Sequence, residues 1–190
     1  MSSKRPLQTT IQPIPPLPTS KLPINAYKSK IQSTLLTSRT LILTSSTGSG
    51  KTTHVPFYAS EMYPKSRISV TQPRRVACTS VATYVSNLLS VELGTSVGYS
   101  VRFDHKCSPS TLVTFQTDGM LLRECTSGSK GRAFGNYDVV VVDEVRLAGA
   151  KRQSKASISS LHPLPVNNHV LFIASLLTPL IAGPREERRK

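Results

Sequence analysis

The sequence predicts an α/β fold in which helices flank a parallel sheet. Helical and strand-like patterns alternate between residues 22 and 145, and strands separated by helices favour parallel pairing. YDVVVVDE contains four consecutive valines, a run typical of a strand covered on both faces. LILTSSTGSGKTTHVPF, residues 41–57, has the pattern of a strand, a glycine-containing turn and a helix. We therefore expect the glycine turn to follow the first full strand of the sheet.

The remaining elements follow from hydrophobic periodicity. INAYKSKIQSTLL has apolar residues at helical spacing, whereas TLILT predicts a short buried strand. RISVTQ, VGYSV and TLVTFQ predict further strands, and DGMLLREC predicts a short helix. The segment after PRR predicts a long helix. Its expected apolar face consists of Val76, Ala77, Val81, Tyr84, Val85, Leu88 and Leu89.

Two flanking segments lack this alternation. Residues 1–21 contain PIPPLP and are rich in proline, serine, threonine and glutamine. We expect a disordered or irregular arm there, which is a plain linker in the simpler interpretation and a recognition segment in the other. Residues 146–190 are basic and interrupted by proline, and we expect an irregular tail without further strands. The predicted organisation is an arm over 1–21, a lobe over 22–145 and a tail over 146–190.

Composition narrows the class of protein. The 190 residues carry a formal net charge of +14, from 24 basic and 10 acidic side chains. This excess favours a polyanion such as nucleic acid, although a solvated basic surface has the same composition. Three cysteines without CxxC spacing indicate neither disulfides nor zinc, which predicts an intracellular protein, nuclear or cytoplasmic. The longest apolar run, residues 170–182, is too short for a membrane span, so we expect no membrane partner.

The turn at SSTGSGKTT has the chemistry of a phosphate-binding loop. Gly48 and Gly50 allow backbone N–H groups to approach phosphate oxygens, and the N-terminus of the next helix adds its dipole. Lys51 would reach the outer phosphates, and the Thr52 hydroxyl would provide one ligand to Mg²⁺. The usual pattern begins with glycine where this chain has Ser45, which strains the backbone if φ is positive there. The alternative is a chance turn.

Two acidic residues follow the valine run. Asp143 and Glu144 come at the carboxyl end of that strand, the edge at which α/β sheets bind ligands and at which the glycine turn also lies. Asp143 would hold Mg²⁺, and Glu144 would polarise the attacking water. An ordinary strand that ends in two solvated acids is the alternative, but the glycine turn upstream favours a site.

Basic and polar residues follow two more strands at the same edge. Arg74 and Arg75 come after RISVTQ, and Thr117, Asp118 and Gly119 come at the end of TLVTFQ. Paired arginines and a helix N-terminus are natural contacts for the phosphates of a nucleic-acid backbone. Taken singly, each of these residues is more commonly part of a surface than of a site.

In order and spacing, these segments resemble the first RecA-like lobe of the DEAH-box RNA helicases, a P-loop NTPase fold. LPI at residue 22 opens the match; SSTGSGKTTHVPF resembles motif I, TQPRRVA motif Ia, LGTSVGYSVRFD a further family block, TDGMLLRE motif Ib and VVVDE the start of motif II. The resemblance covers about residues 22–145. It implies nucleotide binding by Thr47, Gly48, Ser49, Gly50, Lys51, Thr52 and Thr53, metal binding by Thr52 and Asp143, catalysis by Glu144 and RNA binding by Arg74, Arg75 and Thr117.

The resemblance also implies an activity. Members of this family hydrolyse ATP or other nucleotides with Mg²⁺, move along single-stranded RNA from 3′ to 5′, and many work with activating protein partners. We expect an ATP-dependent RNA helicase by family, in a truncated form with little activity of its own. The alternative is a non-catalytic module that binds nucleotide and RNA. Another P-loop enzyme, such as a small kinase, has no need of TQPRR and TDGMLLRE.

Three departures from the family pattern bear on that activity. Ser45 replaces the first glycine of motif I, and motif II reads Asp143-Glu144-Val145-Arg146 in place of D-E-A-H. In the family, the missing histidine links the nucleotide state to the grip on RNA. After Arg146 we find neither the S-A-T motif nor the second lobe, which supplies arginine fingers in the family. A truncated product, or a gene model that reads past a splice junction after VVVDE, would explain these losses together.

Overall fold

The chain forms alternating helices and strands. The computed structural model describes residues 14–18, 21–126, 137–143 and 169–175, and in the last range it describes the backbone. The elements in chain order are a 3₁₀ helix at Pro23–Tyr27, α1 at Lys28–Thr37, β1 at Thr40–Ser45, α2 at Lys51–Met62, β2 at Ile68–Gln72, α3 at Arg75–Leu88, β3 at Val97–Val101, β4 at Asp104–Lys106, β5 at Val113–Thr117, α4 at Asp118–Thr126, β6 at Val139–Asp143 and β7 at His169–Ser175. Among these described helices, none is both long and apolar enough to cross a membrane.

The strands form one seven-stranded sheet. Their order is β1-β7-β6-β2-β5-β3-β4, and every neighbouring pair is parallel except β3 with β4. The carboxyl ends of the parallel strands therefore lie along one edge of the sheet. The prediction of an α/β fold with a parallel sheet flanked by helices is confirmed, and the glycine turn does follow the first strand.

The hydrophobic core covers both faces of the central strands. All five residues of β2 are buried. Val139 and Val141 of β6 belong to a large cluster that also contains Phe57, whereas Val140 packs with Leu121 of α4 in a second cluster. Successive side chains of a strand point to opposite faces, so the valine run is buried on both sides, as predicted.

The buried stripe of α3 overlaps the predicted one only in part, since Val85 and Leu89 are buried as expected. Its buried residues are Cys78, Ala82, Val85 and Ser86. Val76 and Tyr84, which were expected in the core, are 74% and 55% exposed. Small side chains at 78 and 82 allow α3 to pack closely on β3 and β5. Because this helix carries apolar residues on more than one side, periodicity alone identified only part of the buried stripe.

Two strands at the margins of the sheet also differ from expectation. In β1 the side chains alternate between exposed and half-buried, and Ile42 is 63% exposed, so β1 is not the fully buried strand that TLILT predicted. β4 was not predicted at all. It is a three-residue, fully exposed antiparallel strand, and so short an exposed strand leaves no hydrophobic alternation in the sequence.

The prediction that no strand follows residue 145 is wrong. β7 pairs in parallel with β1 on one side and with β6 on the other. Its sequence, HVLFIAS, is mostly apolar, and it satisfies backbone hydrogen-bonding groups that two facing strand edges would otherwise leave without partners. The other residues of the predicted tail, 146–168 and 176–190, lie outside the described residues.

Part of the predicted arm contacts the lobe. Residues 14–18 have no regular secondary structure, which agrees with an irregular arm. Ile14 and Leu17 nevertheless pack against the large hydrophobic cluster. These residues are therefore not the plain linker that the composition suggested, while residues 1–13 and 19–20 lie outside the described part of the chain.

Candidate nucleotide-binding site

The turn between β1 and α2 owes its shape to two glycines in the left-handed region. Gly48 has φ +75° and Gly50 has φ +92°, conformations that residues with a Cβ adopt at a cost. At Gly50 an added Cβ would also lie 2.8 Å from Leu22 Cδ1, whereas at Gly48 it would meet no atom within 4 Å. The glycine at 48 is thus required by its backbone conformation, and that at 50 by conformation and close packing together.

Lys51 begins α2 and points back into this turn. Its Nζ donates to the carbonyl oxygens of Ser45 and Ser46 at 3.0 and 2.8 Å. It also donates to the hydroxyl oxygens of Ser45 and Ser49 at 2.8 and 3.1 Å. Lys51 is only 4% exposed, and this burial lowers the pKa of its ammonium group while the negative charge of Asp143 opposes the shift. The turn therefore encloses one positive charge within a ring of oxygen atoms.

Ser45 fits without the strain that its replacement of glycine could have caused. Among the described residues, the positive-φ positions other than glycine are Ser90 and Phe103, so Ser45 has an ordinary negative φ. Its hydroxyl also lies 2.7 Å from the Ser49 hydroxyl. The serine is consequently part of the hydrogen-bonded turn, and the missing glycine does not disrupt the loop.

Asp143 brings three segments of the chain together. It is the last residue of β6 and is 6% exposed. Its Oδ2 accepts a hydrogen bond from the Thr52 hydroxyl in α2 and another, of 2.6 Å, from Nε2 of Gln72 at the end of β2. The predicted pair of metal-binding residues, Thr52 and Asp143, is therefore in direct contact.

These oxygen atoms suit Mg²⁺, which prefers a few protein oxygens together with water and substrate phosphates. A threonine hydroxyl can donate its proton to Asp143 and still offer a lone pair to a cation. In the described residues there is no group of three or more His, Cys, Asp or Glu side chains that could hold a metal. Among the described residues, the Thr52 hydroxyl and the Asp143 carboxylate are therefore the groups that would hold a metal at this position.

The other predicted nucleotide-binding residues have different surroundings. Thr47 is exposed and Ser49 is buried. The Thr53 hydroxyl donates to the Gly50 carbonyl oxygen at 3.2 Å and lies 2.9 Å from Nδ1 of His54, so its contacts in this structure are within α2 and the turn. Glu144, the predicted catalytic residue, lies outside the described residues, as do Val145 and Arg146.

The predicted RNA-binding residues lie at the same edge of the sheet but on its surface. Arg74 and Arg75 are exposed, and Arg75 begins α3. Thr117 is half-buried and ends β5. β2 and β5 are parallel neighbours, with Gln72 opposite Thr117. Thr117 is therefore level with Gln72, and Arg74 and Arg75 follow Gln72 by two and three residues at the same edge of the sheet.

Sequence reasoning missed Gln72 and the bonding role of Ser45. Gln72 carried a weak signal, because it is an amide residue at the end of a predicted strand, immediately before Pro73. Ser45 was recognised as a departure from a pattern, but its hydrogen bonds to Lys51 and Ser49 depend on the folded turn.

Comparison with known proteins supports the resemblance found in the motifs. No model of a protein family matches the chain. The chain is 41% identical over 126 residues to the ATP-dependent RNA helicase HrpA of Borreliella burgdorferi, a DEAH-box helicase. The match covers 65% of this chain and 15% of that protein, so the chain spans a small part of the length of this relative. The predicted resemblance and the RecA-like type of fold are both confirmed.

Proposed function

From its relation to the DEAH-box RNA helicases, we propose that this chain binds ATP with Mg²⁺ in the turn after β1 and binds single-stranded RNA at the ends of β2 and β5. The observation that carries the proposal is the hydrogen bond from Thr52 to Asp143. It joins the helix that follows the glycine turn to the end of β6, the two parts from which a nucleotide–metal site is built.

The proposed nucleotide site assigns roles to Lys51, Thr52, Asp143 and Glu144. Lys51 exchanges its serine and carbonyl partners for outer phosphate oxygens, and the N–H groups of the turn and of the start of α2 bind phosphate as donors. Thr52 and Asp143 would hold Mg²⁺, and Glu144 would orient the attacking water. Bound Mg²⁺ neutralises charge on the transferring phosphate group.

The proposed RNA surface relies on charge. Arg74 and Arg75 are exposed, follow β2 directly and lie on a chain with a net charge of +14. Guanidinium groups bind phosphate oxygens in pairs of hydrogen bonds, and contacts to phosphate carry no base specificity. We expect binding of single strands without sequence preference. Activating protein partners, which are common in the family, remain part of the proposal.

Titration with a fluorescent ATP analogue in the presence of Mg²⁺ tests the nucleotide site. We expect Lys51→Ala to weaken binding by about 10- to 150-fold, because a hydrogen bond to a charged group contributes about 1.5–3 kcal/mol. Lys30→Ala is the matched control, since Lys30 is an exposed lysine of α1.

Equal nucleotide affinity in the wild-type and Lys51→Ala proteins, with both shown to be folded by circular dichroism, would contradict the proposal. Binding that is lost in Lys51→Ala and retained in Lys30→Ala would support it. RNA-stimulated hydrolysis would then decide between an active enzyme and the alternative, a non-catalytic module that binds nucleotide and RNA.

A further inference from the structure

We propose that Gln72 is a positioning residue that holds the Asp143 carboxylate in the orientation needed for Mg²⁺. The inference rests on the proposed function of Asp143 as a metal-binding residue. The sequence motifs assigned no role to Gln72, and this proposal gives it one. In this interpretation Gln72 contacts neither nucleotide nor metal and acts through Asp143.

The sheet places the two side chains side by side. β2 and β6 are parallel neighbours, and their last paired residues are Thr71 and Val142. Gln72 and Asp143 are the next residues on each strand, so they emerge together at the carboxyl edge. Gln72 Nε2 lies 2.6 Å from Asp143 Oδ2, and both side chains are almost fully buried.

The hydrogen bonding restricts the carboxylate. Oδ2 of Asp143 accepts from Thr52 on one side and from Gln72 on the other. Because these two donors belong to different elements, they limit rotation of the carboxylate about the Cβ–Cγ bond of Asp143. Donors that contact a metal ligand from behind typically orient it and strengthen metal binding.

The chemical identity of the donor also matters. A glutamine amide is neutral, so it donates a hydrogen bond to Asp143 and leaves the negative charge of the carboxylate available to a cation. A lysine or arginine at position 72 would neutralise that charge and compete with Mg²⁺. The neutral amide is therefore the type of donor that suits a metal-binding carboxylate.

A second buried glutamine offers a matched control. Gln116 of β5 lies opposite Thr71 in the sheet and is completely buried. Its Nε2 donates to the Ser69 hydroxyl at 2.8 Å, and its side chain also hydrogen-bonds to Glu124 of α4, so its partners do not include Asp143. Replacing either glutamine by leucine removes a buried amide of the same size, but only Gln72→Leu removes a donor to the Asp143 carboxylate.

The experiment measures the Mg²⁺ dependence of nucleotide binding by the full chain. A non-hydrolysable fluorescent ATP analogue is held at constant concentration while Mg²⁺ is titrated from an EDTA-containing buffer. We expect Gln72→Leu to raise the Mg²⁺ midpoint by about 10- to 100-fold, the typical effect of losing a donor behind a metal ligand. We expect Gln116→Leu to leave the midpoint unchanged, and all proteins to have similar nucleotide affinity in EDTA.

Each outcome bears on the proposal. Equal Mg²⁺ midpoints in Gln72→Leu and the wild type, or equal shifts in the two leucine variants, would overturn the role of Gln72 while leaving the nucleotide site intact. A wild-type protein that binds no nucleotide would overturn the proposed function and this inference with it. If thermal unfolding shows that Gln72→Leu does not fold, Gln72→Asn replaces it, since its amide is one methylene too short to keep the contact, and the same increase is expected.

Discussion

The turn after β1 and the arginine pair after β2 lie at the same edge of one sheet, yet they are built in different ways. In the turn, Lys51 is buried and makes four hydrogen bonds to oxygen atoms of three serines. Arg74 and Arg75 are exposed. The first region is organised by hydrogen bonds within the turn, and the second presents charge from a surface.

The two regions are therefore suited to different ligands. A buried, hydrogen-bonded turn selects a ligand by geometry, because a misplaced phosphate leaves buried donors without partners. An exposed pair of arginines attracts any polyanion, and its contribution falls as salt is added. We therefore expect nucleotide affinity to change when single side-chain groups of the turn are removed. We expect RNA affinity to change mainly with ionic strength.

The largest expected effect concerns ATP hydrolysis, because correct binding of the nucleotide does not by itself give a fast phosphoryl transfer. We expect phosphate release by this chain to be barely above background, with or without RNA. A positioned arginine typically contributes about 10³–10⁵ in rate to phosphoryl transfer. In the described part of the chain, Lys51 is the only lysine or arginine that hydrogen-bonds to the turn.

A phosphate-release assay with a Glu144→Gln control checks this expectation. Turnover that RNA stimulates and that Glu144→Gln abolishes would show that residues outside the described ranges complete the catalytic site. In that case the chain would contain the groups needed for hydrolysis as well as those needed for nucleotide binding.

The second prediction separates the two glycines of the turn. We expect Gly48→Ala to cost about 1–2 kcal/mol, because alanine is strained at positive φ. Gly50→Ala carries the same strain and should cost at least about 1 kcal/mol more, since its Cβ would lie 2.8 Å from Leu22 Cδ1 and crowd a packed region. Urea unfolding of the two variants measures the difference, and equal losses would show that Leu22 moves aside freely.

The third prediction tests the exposed side. We expect the double variant Arg74→Ala/Arg75→Ala to bind single-stranded RNA more weakly and to reduce the log–log salt slope by about 1.4, at about 0.7 per phosphate contact on single strands. The control Lys30→Ala/Lys65→Ala removes the same charge from exposed positions in α1 and before β2. An equal change of salt slope in both double variants would mean that RNA binding depends on the overall charge of the chain and not on Arg74 and Arg75.

The smallest expected effect is on the pH dependence of folding stability, through a buried histidine of α2. His54 is buried in α2, and burial lowers the pKa of its imidazole below 6.5, while a hydrogen bond involving the backbone of Gly50 opposes the shift. As pH falls below about 6.5 the unfolded chain takes up a proton more readily than the folded chain, so stability falls. We expect His54→Gln to make the loss of stability between pH 7 and 5 shallower.

Thermal unfolding across this pH range measures the effect of His54. The control is His105→Gln, which replaces an exposed histidine of β4. A pH dependence in His54→Gln as steep as in the wild type would show that other groups control stability in this range.

Prediction from the sequence succeeded where a local pattern decides the structure. Four consecutive valines specify a strand covered on both faces, and β6 is buried on both faces. Gly48 and Gly50 indicated a turn between a strand and a helix, which the structure confirms. The buried stripe of α3 was predicted only in part, with Val85 and Leu89 buried but Val76 and Tyr84 exposed, because a helix with apolar residues on several sides offers more than one choice of core face.

The order of the motifs, the glycine turn and the central valine strand can be predicted from the amino-acid sequence, because these features depend on neighbouring residues. Which of these parts come into contact depends on how the strands pair in the folded chain. Thr52 and Asp143 are 91 positions apart and touch because parallel strands end at one edge of the sheet. The same pairing placed β7 between β1 and β6 and brought Gln72 to Asp143, since sheet order is set by hydrogen bonds between distant strands, which no local pattern records.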